Sequence, residues 1–330
     1  LKSAPLPLWT EQVFQGAWLK NGASLSENFA KGRKNLKHKK LKKWPLFVMA
    51  ILFIVGVASI LYPFVGNLVS VMTANVVIGS YDDEVKNLDT SEIDELLAKA
   101  NEYNRSLYSG LKTDVDAKCL NRTDGIMCYV DVPKVNIYLP VYYGTSNEVL
   151  EKGCGYLENT SLPVGGKNTH SVISGHTGLP SAEMFTQLDQ VKVGDMFYIH
   201  ILNEVLAYKI DKIQDVKPDE TDTLRIVSGE DYVTLLTCTP YGINDRRLLV
   251  RGTRVPYTPD ENSGSTSEIP DPPTSDNTLS QNVINQILVI GAIVLVAIIV
   301  FIIACIILHN DRKKAEKRIK DKQSDEKQEE

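Results

Sequence analysis

Apolar residues fall into three regimes along the chain. Two runs, Trp44 to Gly66 and Val283 to Leu308, hold no charged side chain and exceed the roughly 20 apolar residues that cross a bilayer. Between residues 80 and 109 the spacing is helical: Val85, Leu88, Ile93, Leu96, Leu97 and Leu107 recur at intervals near three and four, and Asp89, Thr90, Ser91 and Glu92 supply N-cap chemistry. This predicts one or two helices forming a stalk between membrane and core. From Met127 the period shortens. Residues 127–144, 169–176, 196–216, 232–238 and 247–255 are β-branched, aromatic and aliphatic runs broken by Gly, Pro and Asn. Many short strands without strand–helix–strand alternation predict a closed or sandwich-like β fold from Gly125 to about Val255. Met184, Phe185 and Leu188 on one face predict a short helix crossing over 181–189.

Charge fixes the orientation. Lys31 to Lys43 is basic ahead of the first span, and Arg312, Lys313, Lys314, Lys317 and Arg318 follow the second. By the positive-inside rule both flanks are cytoplasmic and everything between the spans lies outside. A cleaved signal peptide fits poorly, because the first apolar core is too long and no small-residue cleavage site follows it. The expected organisation is a basic cytoplasmic tail over 1–43, a transmembrane helix over 44–66 and a helical region over 67–124. A β domain over 125–256, a disordered Pro-, Ser- and Thr-rich linker over 257–282, a second transmembrane helix over 283–308 and a charged cytoplasmic tail over 309–330 follow. Residues 1–30 show no amphipathic period and receive no function. The net charge of -5 averages unlike regions and gives no support for nucleic-acid binding.

This topology leaves Cys119, Cys128, Cys154, Cys238, His170, His176 and His200 outside. No close Cys-x-x-Cys or His-x-x-x-His pair occurs among them, so no metal or other cofactor is expected. The stretch Thr234 to Gly252 reads as a β-hairpin, with Pro240, Gly242, Asn244 and Asp245 as turn formers. A symmetric loop from Thr239 to Arg246 sets Cys238 opposite Arg247, with Cβ atoms about 5 Å apart. A cation beside a thiol favours the thiolate, although a small buried hydrophobe beside a surface arginine is the plainer alternative. His176 follows Val172 and Ile173 between Gly175 and Gly178, a context that exposes an imidazole at a strand end. His170 reads as a rival or as a surface residue capping the preceding loop, and His200 as a half-buried strand residue. Cys154, between two glycines, reads as an unpaired packing residue.

Cys238 after Thr234, Leu235, Leu236 and Thr237, Arg247 ahead of Leu248, Leu249 and Val250, and His176 ahead of Thr177, Gly178, Leu179 and Pro180 together resemble the sortases of Gram-positive bacteria. The segments 132–141, 143–146 and 162–172, with the second span and its basic tail, look like the class C, pilus-assembling branch. The resemblance covers about Ser80 to Leu308. It implies an eight-stranded β-barrel transpeptidase, flanked by two transmembrane helices, that cleaves an LPxTG-type sorting signal after its threonine. Cys238 would form a thioacyl intermediate, His176 would move protons, and Arg247 would stabilise the oxyanion or hold the substrate. A pilin lysine would resolve the intermediate, so LPxTG-bearing pilins or surface proteins are the implied partners.

Class C enzymes commonly carry an Asp-Pro-aromatic lid ahead of the barrel, and this chain has none there. In its place stand Cys119 and Cys128, eight residues apart. They are expected either as a small disulfide loop that replaces the lid or as two free thiols. Two other functions compete: a housekeeping sortase that anchors surface proteins to cell-wall peptide, and a non-enzymatic membrane-tethered binding module. No LPxTG precedes the second span, so the chain is not itself a sorted substrate.

Overall fold

The computed structural model describes residues 44–257 and 275–328. The tail expected over 1–43 and the linker residues 258–274 lie outside the described residues.

Eight strands close into a barrel: β1 (Ile126–Val132), β2 (Ile137–Tyr143), β3 (Cys154–Tyr156), β4 (Thr169–Ser174), β5 (Met196–Ile201), β6 (Glu204–Val216), β7 (Asp231–Thr239) and β8 (Arg246–Val255). Their order is β1-β2-β3-β4-β7-β8-β6-β5, and β5 pairs back onto β1. The pairs β2/β3 and β4/β7 are parallel and the others antiparallel. Closure leaves no strand edge open to another chain. Val130, Phe197, Ile199, Tyr208, Leu235 and Val250 are fully buried in the barrel's core. The three-residue β3 has no strand-like run in the sequence. It forms because Gly155 has no Cβ, which would collide with the Gly144 carbonyl.

The helices do not form a free stalk. Helix α1 (Trp44–Lys86) continues well past the apolar run. Beyond Gly66 it buries Ala74, Ile78, Tyr81 and Val85, one stripe at three- and four-residue spacing, in the common core. The Tyr81 hydroxyl donates to the Met127 carbonyl at 3.2 Å and accepts from the Leu202 amide at 2.7 Å. Asp89 caps the start of α2 (Thr90–Ser109), as its N-cap chemistry predicts, and forms a capping box with Glu92; Gly110 ends that helix in the left-handed region at φ 68°. On the buried face of α2, Asn104 donates to the Leu162 carbonyl at 3.1 Å and accepts from its amide at 2.7 Å.

A one-turn helix α3 (Asn147–Leu150) joins β2 to β3. The helix expected over 181–189 is instead a short 3-10 turn, Thr186–Gln190. The Phe185 amide is held by the His176 carbonyl at 2.9 Å and its ring is fully buried, so this segment is tied to the strand end before a helix can start. The last helix, α4 (Ser275–Gln328), begins ahead of the expected apolar limit and runs on through the charged tail. Its Lys, Glu, Ala and Arg residues are good helix formers. Within α1 and α4, the segments Phe47–Lys86 and Ile284–Arg318 are long and apolar enough to cross a membrane.

Candidate active site

The site is built where β4, β7 and β8 run side by side. Alternation along β7 sends Val233, Leu235 and Thr237 into the barrel and Tyr232, Thr234, Leu236 and Cys238 to its outer face. In the β7/β8 ladder Cys238 pairs with Arg247 and Thr239 with Arg246. Directly opposed residues share a face. The turn that sets this register is closed by the Pro240 carbonyl, which accepts from Ile243 at 3.1 Å and Asn244 at 2.9 Å. Gly242 and Asn244 take positive φ, at 79° and 60°. Arg247 Nη1 donates to the Asn244 carbonyl at 3.2 Å and the Arg246 carbonyl at 2.9 Å, which fixes the direction of the guanidinium. Arg246 itself reaches across to β6, where it holds Asp215 at 2.5 Å.

The parallel β4/β7 ladder pairs Ser174 with Leu236, and the Gly175 amide donates to the Leu236 carbonyl at 3.0 Å. The ladder ends at Ser174 and Leu236, each two residues before His176 and Cys238, so both residues lie at the same end of the barrel. All three side chains are half-buried. The loop after β4 and the paired ends of β7 and β8 therefore bring an imidazole, a thiol and a guanidinium to one end of the barrel. Such a set provides a nucleophile, a proton carrier and a fixed cation.

Two threonines that the sequence reading passed over hold this site. Thr237 points inward and is nearly inaccessible; its hydroxyl donates to the Gly175 carbonyl at 2.7 Å and meets the Thr177 hydroxyl at 2.6 Å. The residues flanking Cys238 and His176 are thus tied together directly. Gly175 has no room for a side chain, since a Cβ would lie 2.7 Å from the Phe185 ring. The signal available in the sequence was strand parity, which places Thr237 inside.

The other candidates lie elsewhere. His170 is buried, not a surface cap: Nδ1 contacts the Arg225 carbonyl at 3.0 Å and Nε2 the Thr234 hydroxyl at 2.7 Å, and burial lowers its pKa. His200 stacks on Tyr129 with centroids 4.4 Å apart, and burial pushes its pKa down to about 4.

Cys119 and Cys128 are both free thiols, and so is the buried Cys154. Cys128 is wholly buried in β1 and burial raises its pKa, while Cys119 is half-buried in a 3-10 turn. Tyr81 binds both Met127 and Leu202, so the start of β1 lies at the β5/β6 turn. From that turn β6 runs thirteen residues to Val216, the partner of Arg247.

Residues 130–255 match the sortase domain family. Among solved structures, sortase C from Clostridium perfringens with the C-terminal cell wall sorting motif is 48% identical, over 56% of this chain and 100% of that one, with a TM-score of 0.53. Sortase C1 from Streptococcus agalactiae is 42% identical, over 56% of this chain and 97% of that one, at a TM-score of 0.54. Sortase A from Staphylococcus aureus is 34% identical over 135 residues, 38% of this chain. The match spans 64% of the length of that curated relative. The chain belongs to the sortase family. Its structural neighbours at this level of identity are class C sortases.

Proposed function

We propose that the chain is a cysteine transpeptidase that acts on an LPxTG-type sorting signal and passes it to a pilin lysine. The observation that supports this reading is the pairing of Cys238 with Arg247 in the β7/β8 ladder, with His176 two residues past the end of the neighbouring β4. In this mechanism Cys238 Sγ attacks the threonine carbonyl of the signal. The C–S bond forms as the C–N bond to glycine breaks, and His176 delivers a proton to the leaving amine. Arg247 faces the charge that develops on the carbonyl oxygen. In the second half the lysine amine attacks the thioester, gives its proton to His176, and releases Cys238. The net change is one amide exchanged for another, with no redox step.

The class C likeness supports pilin as substrate, since one neighbour, from Streptococcus pneumoniae, is described in terms of pilin substrate specificity. Curated relatives named sortase A keep wall anchoring as the second reading, and it predicts a wall-precursor amine as acceptor. The two apolar helices and their basic flanks support a two-pass cell-membrane protein with its barrel outside and both termini in the cytoplasm. In that organisation 44–66 and 283–308 are the spans, 67–124 the helical region and 125–256 the catalytic barrel.

The test is transfer of a labelled LPxTG peptide to competing amines, a pilin lysine and an oligoglycine wall peptide, with Cys238→Ala as control. Transfer to lysine that Cys238→Ala abolishes is expected. Transfer by Cys238→Ala would remove the nucleophile, and preference for the wall peptide would replace the first reading with the second.

A further inference from the structure

The barrel end that carries Cys238 is also the end at which α1 leaves its apolar segment. Gly66 lies against Ser181, where an added Cβ would stand 2.9 Å from the Ser181 Cα. One residue on, Asn67 Oδ1 accepts from the Glu183 amide at 2.9 Å. The loop that follows His176 is therefore docked on α1 at the point where its sequence turns from apolar to polar. A cleft there is lined by Phe64 and Asn67 of α1, Leu179 and Pro180 of the loop, and Asn285 and Gln286 of α4. Both long apolar helices thus reach their polar limit beside the same cleft, at the level where a bilayer surface would meet them.

The tip of the β7/β8 turn stands at the same level. The Tyr241 ring lies against Gly178, 3.2 Å from where a Cβ would be, and Gly178 precedes Leu179. Tyr241 is 68% exposed and Ile243 69%. No charged residue occurs between Thr239 and Asn244. The Ile243 and Asn244 amides are both taken up by the Pro240 carbonyl, so the tip enters a poorly hydrated layer with those donors paired. Tyrosine favours the headgroup level, with ring in the apolar side and hydroxyl in the wet one. Scattered apolar side chains are ordinary on protein surfaces. Here the pair is exposed at the one level where two apolar helices run out.

We propose that the Pro240–Ile243 tip docks into the headgroup region of a glycerophospholipid bilayer and holds the mouth of the Cys238 site at the membrane surface. The proposal rests on the reading of both apolar helices as membrane spans and on the packing of α1, α4 and the two loops, and it does not require the transpeptidase reading.

The test uses the full chain in liposomes of phosphatidylglycerol and phosphatidylcholine. Trp9, Trp18 and Trp44 are replaced by Phe, and a single tryptophan is placed by Ile243→Trp. Asn203→Trp, in the exposed β5/β6 turn at the opposite end of the barrel, is the comparison. Brominated-acyl phosphatidylcholine is expected to quench and blue-shift the Ile243→Trp emission and to leave Asn203→Trp unchanged, as an interfacial residue sits about 5–10 Å into the headgroup and acyl boundary. Tyr241→Trp repeats the measurement should the first variant fold poorly. Equal quenching at the two ends, or access of both probes to aqueous acrylamide alone, overturns the proposal. Peptide transfer measured on the same liposomes fails or succeeds separately, so loss of one reading is distinguishable from loss of the other.

Discussion

Replacing Thr237 by valine tests how the three site residues are held. The change keeps the β-branched shape and removes one hydroxyl. That hydroxyl donates to the Gly175 carbonyl and pairs with Thr177, and Thr237 is only 2% exposed. A buried partner left unsatisfied costs about 1–3 kcal/mol. If that cost falls on the placement of His176 relative to Cys238, it slows the chemical step by about 5- to 150-fold, at roughly 1.4 kcal/mol per decade. The assay is steady-state transfer of an LPxTG peptide, with urea unfolding run in parallel. The expected result is a fall in kcat at nearly constant KM. Thr177→Val alone should give a similar fall, and the double variant should lose less than the sum of the two, as residues in direct contact do. A Thr237→Val protein that loses stability but keeps its full kcat would refute the positioning role.

Other expectations follow from the same geometry. Gly175→Ala forces a Cβ to within 2.7 Å of a buried Phe185 ring; it should cost about 1–3 kcal/mol by overpacking, read by urea unfolding, and disturb transfer as well. Arg247→Lys keeps the charge but loses the planar fork held by the Asn244 and Arg246 carbonyls. It should restore little of the transfer lost in Arg247→Ala, and equal rates for lysine and arginine would show that charge alone matters. Asp131 is nearly buried and desolvation pushes its carboxyl up to about 7. The native state therefore binds this proton more tightly than the unfolded chain, so the contribution to stability is full below about pH 4 and is lost as pH rises toward 7. Asp131→Asn should stabilise the protein at pH 8 by at most roughly 4 kcal/mol and converge with the parent near pH 4. A constant difference across that range in urea unfolding would contradict the assignment.

Much of this architecture was legible from pattern alone. Alternating runs marked seven of the eight strands, and turn residues at Pro240, Gly242 and Asn244 fixed the hairpin that pairs Cys238 with Arg247. Local chemistry decides those features. What stayed hidden depends on contacts distant in sequence. Nothing near Tyr81 announces that its hydroxyl joins Met127 to Leu202, so residues 80–109 read as a stalk. Spacing suggested a bridge between Cys119 and Cys128, but spacing cannot tell that Cys128 is committed to the core of β1. His170 looked like a loop cap because its two partners, Arg225 and Thr234, arrive from 55 and 64 residues away.

In the proposed reaction Cys238 forms the covalent intermediate. Protein mixed with an LPxTG peptide in the absence of acceptor, quenched in acid and examined by intact and peptide-level mass spectrometry, tests it most directly. A thioester-linked adduct ending in threonine is expected on the peptide containing Cys238, released on addition of an amine. An adduct on Cys119 or Cys154, or turnover with no adduct while Cys238→Ala still transfers, would contradict it.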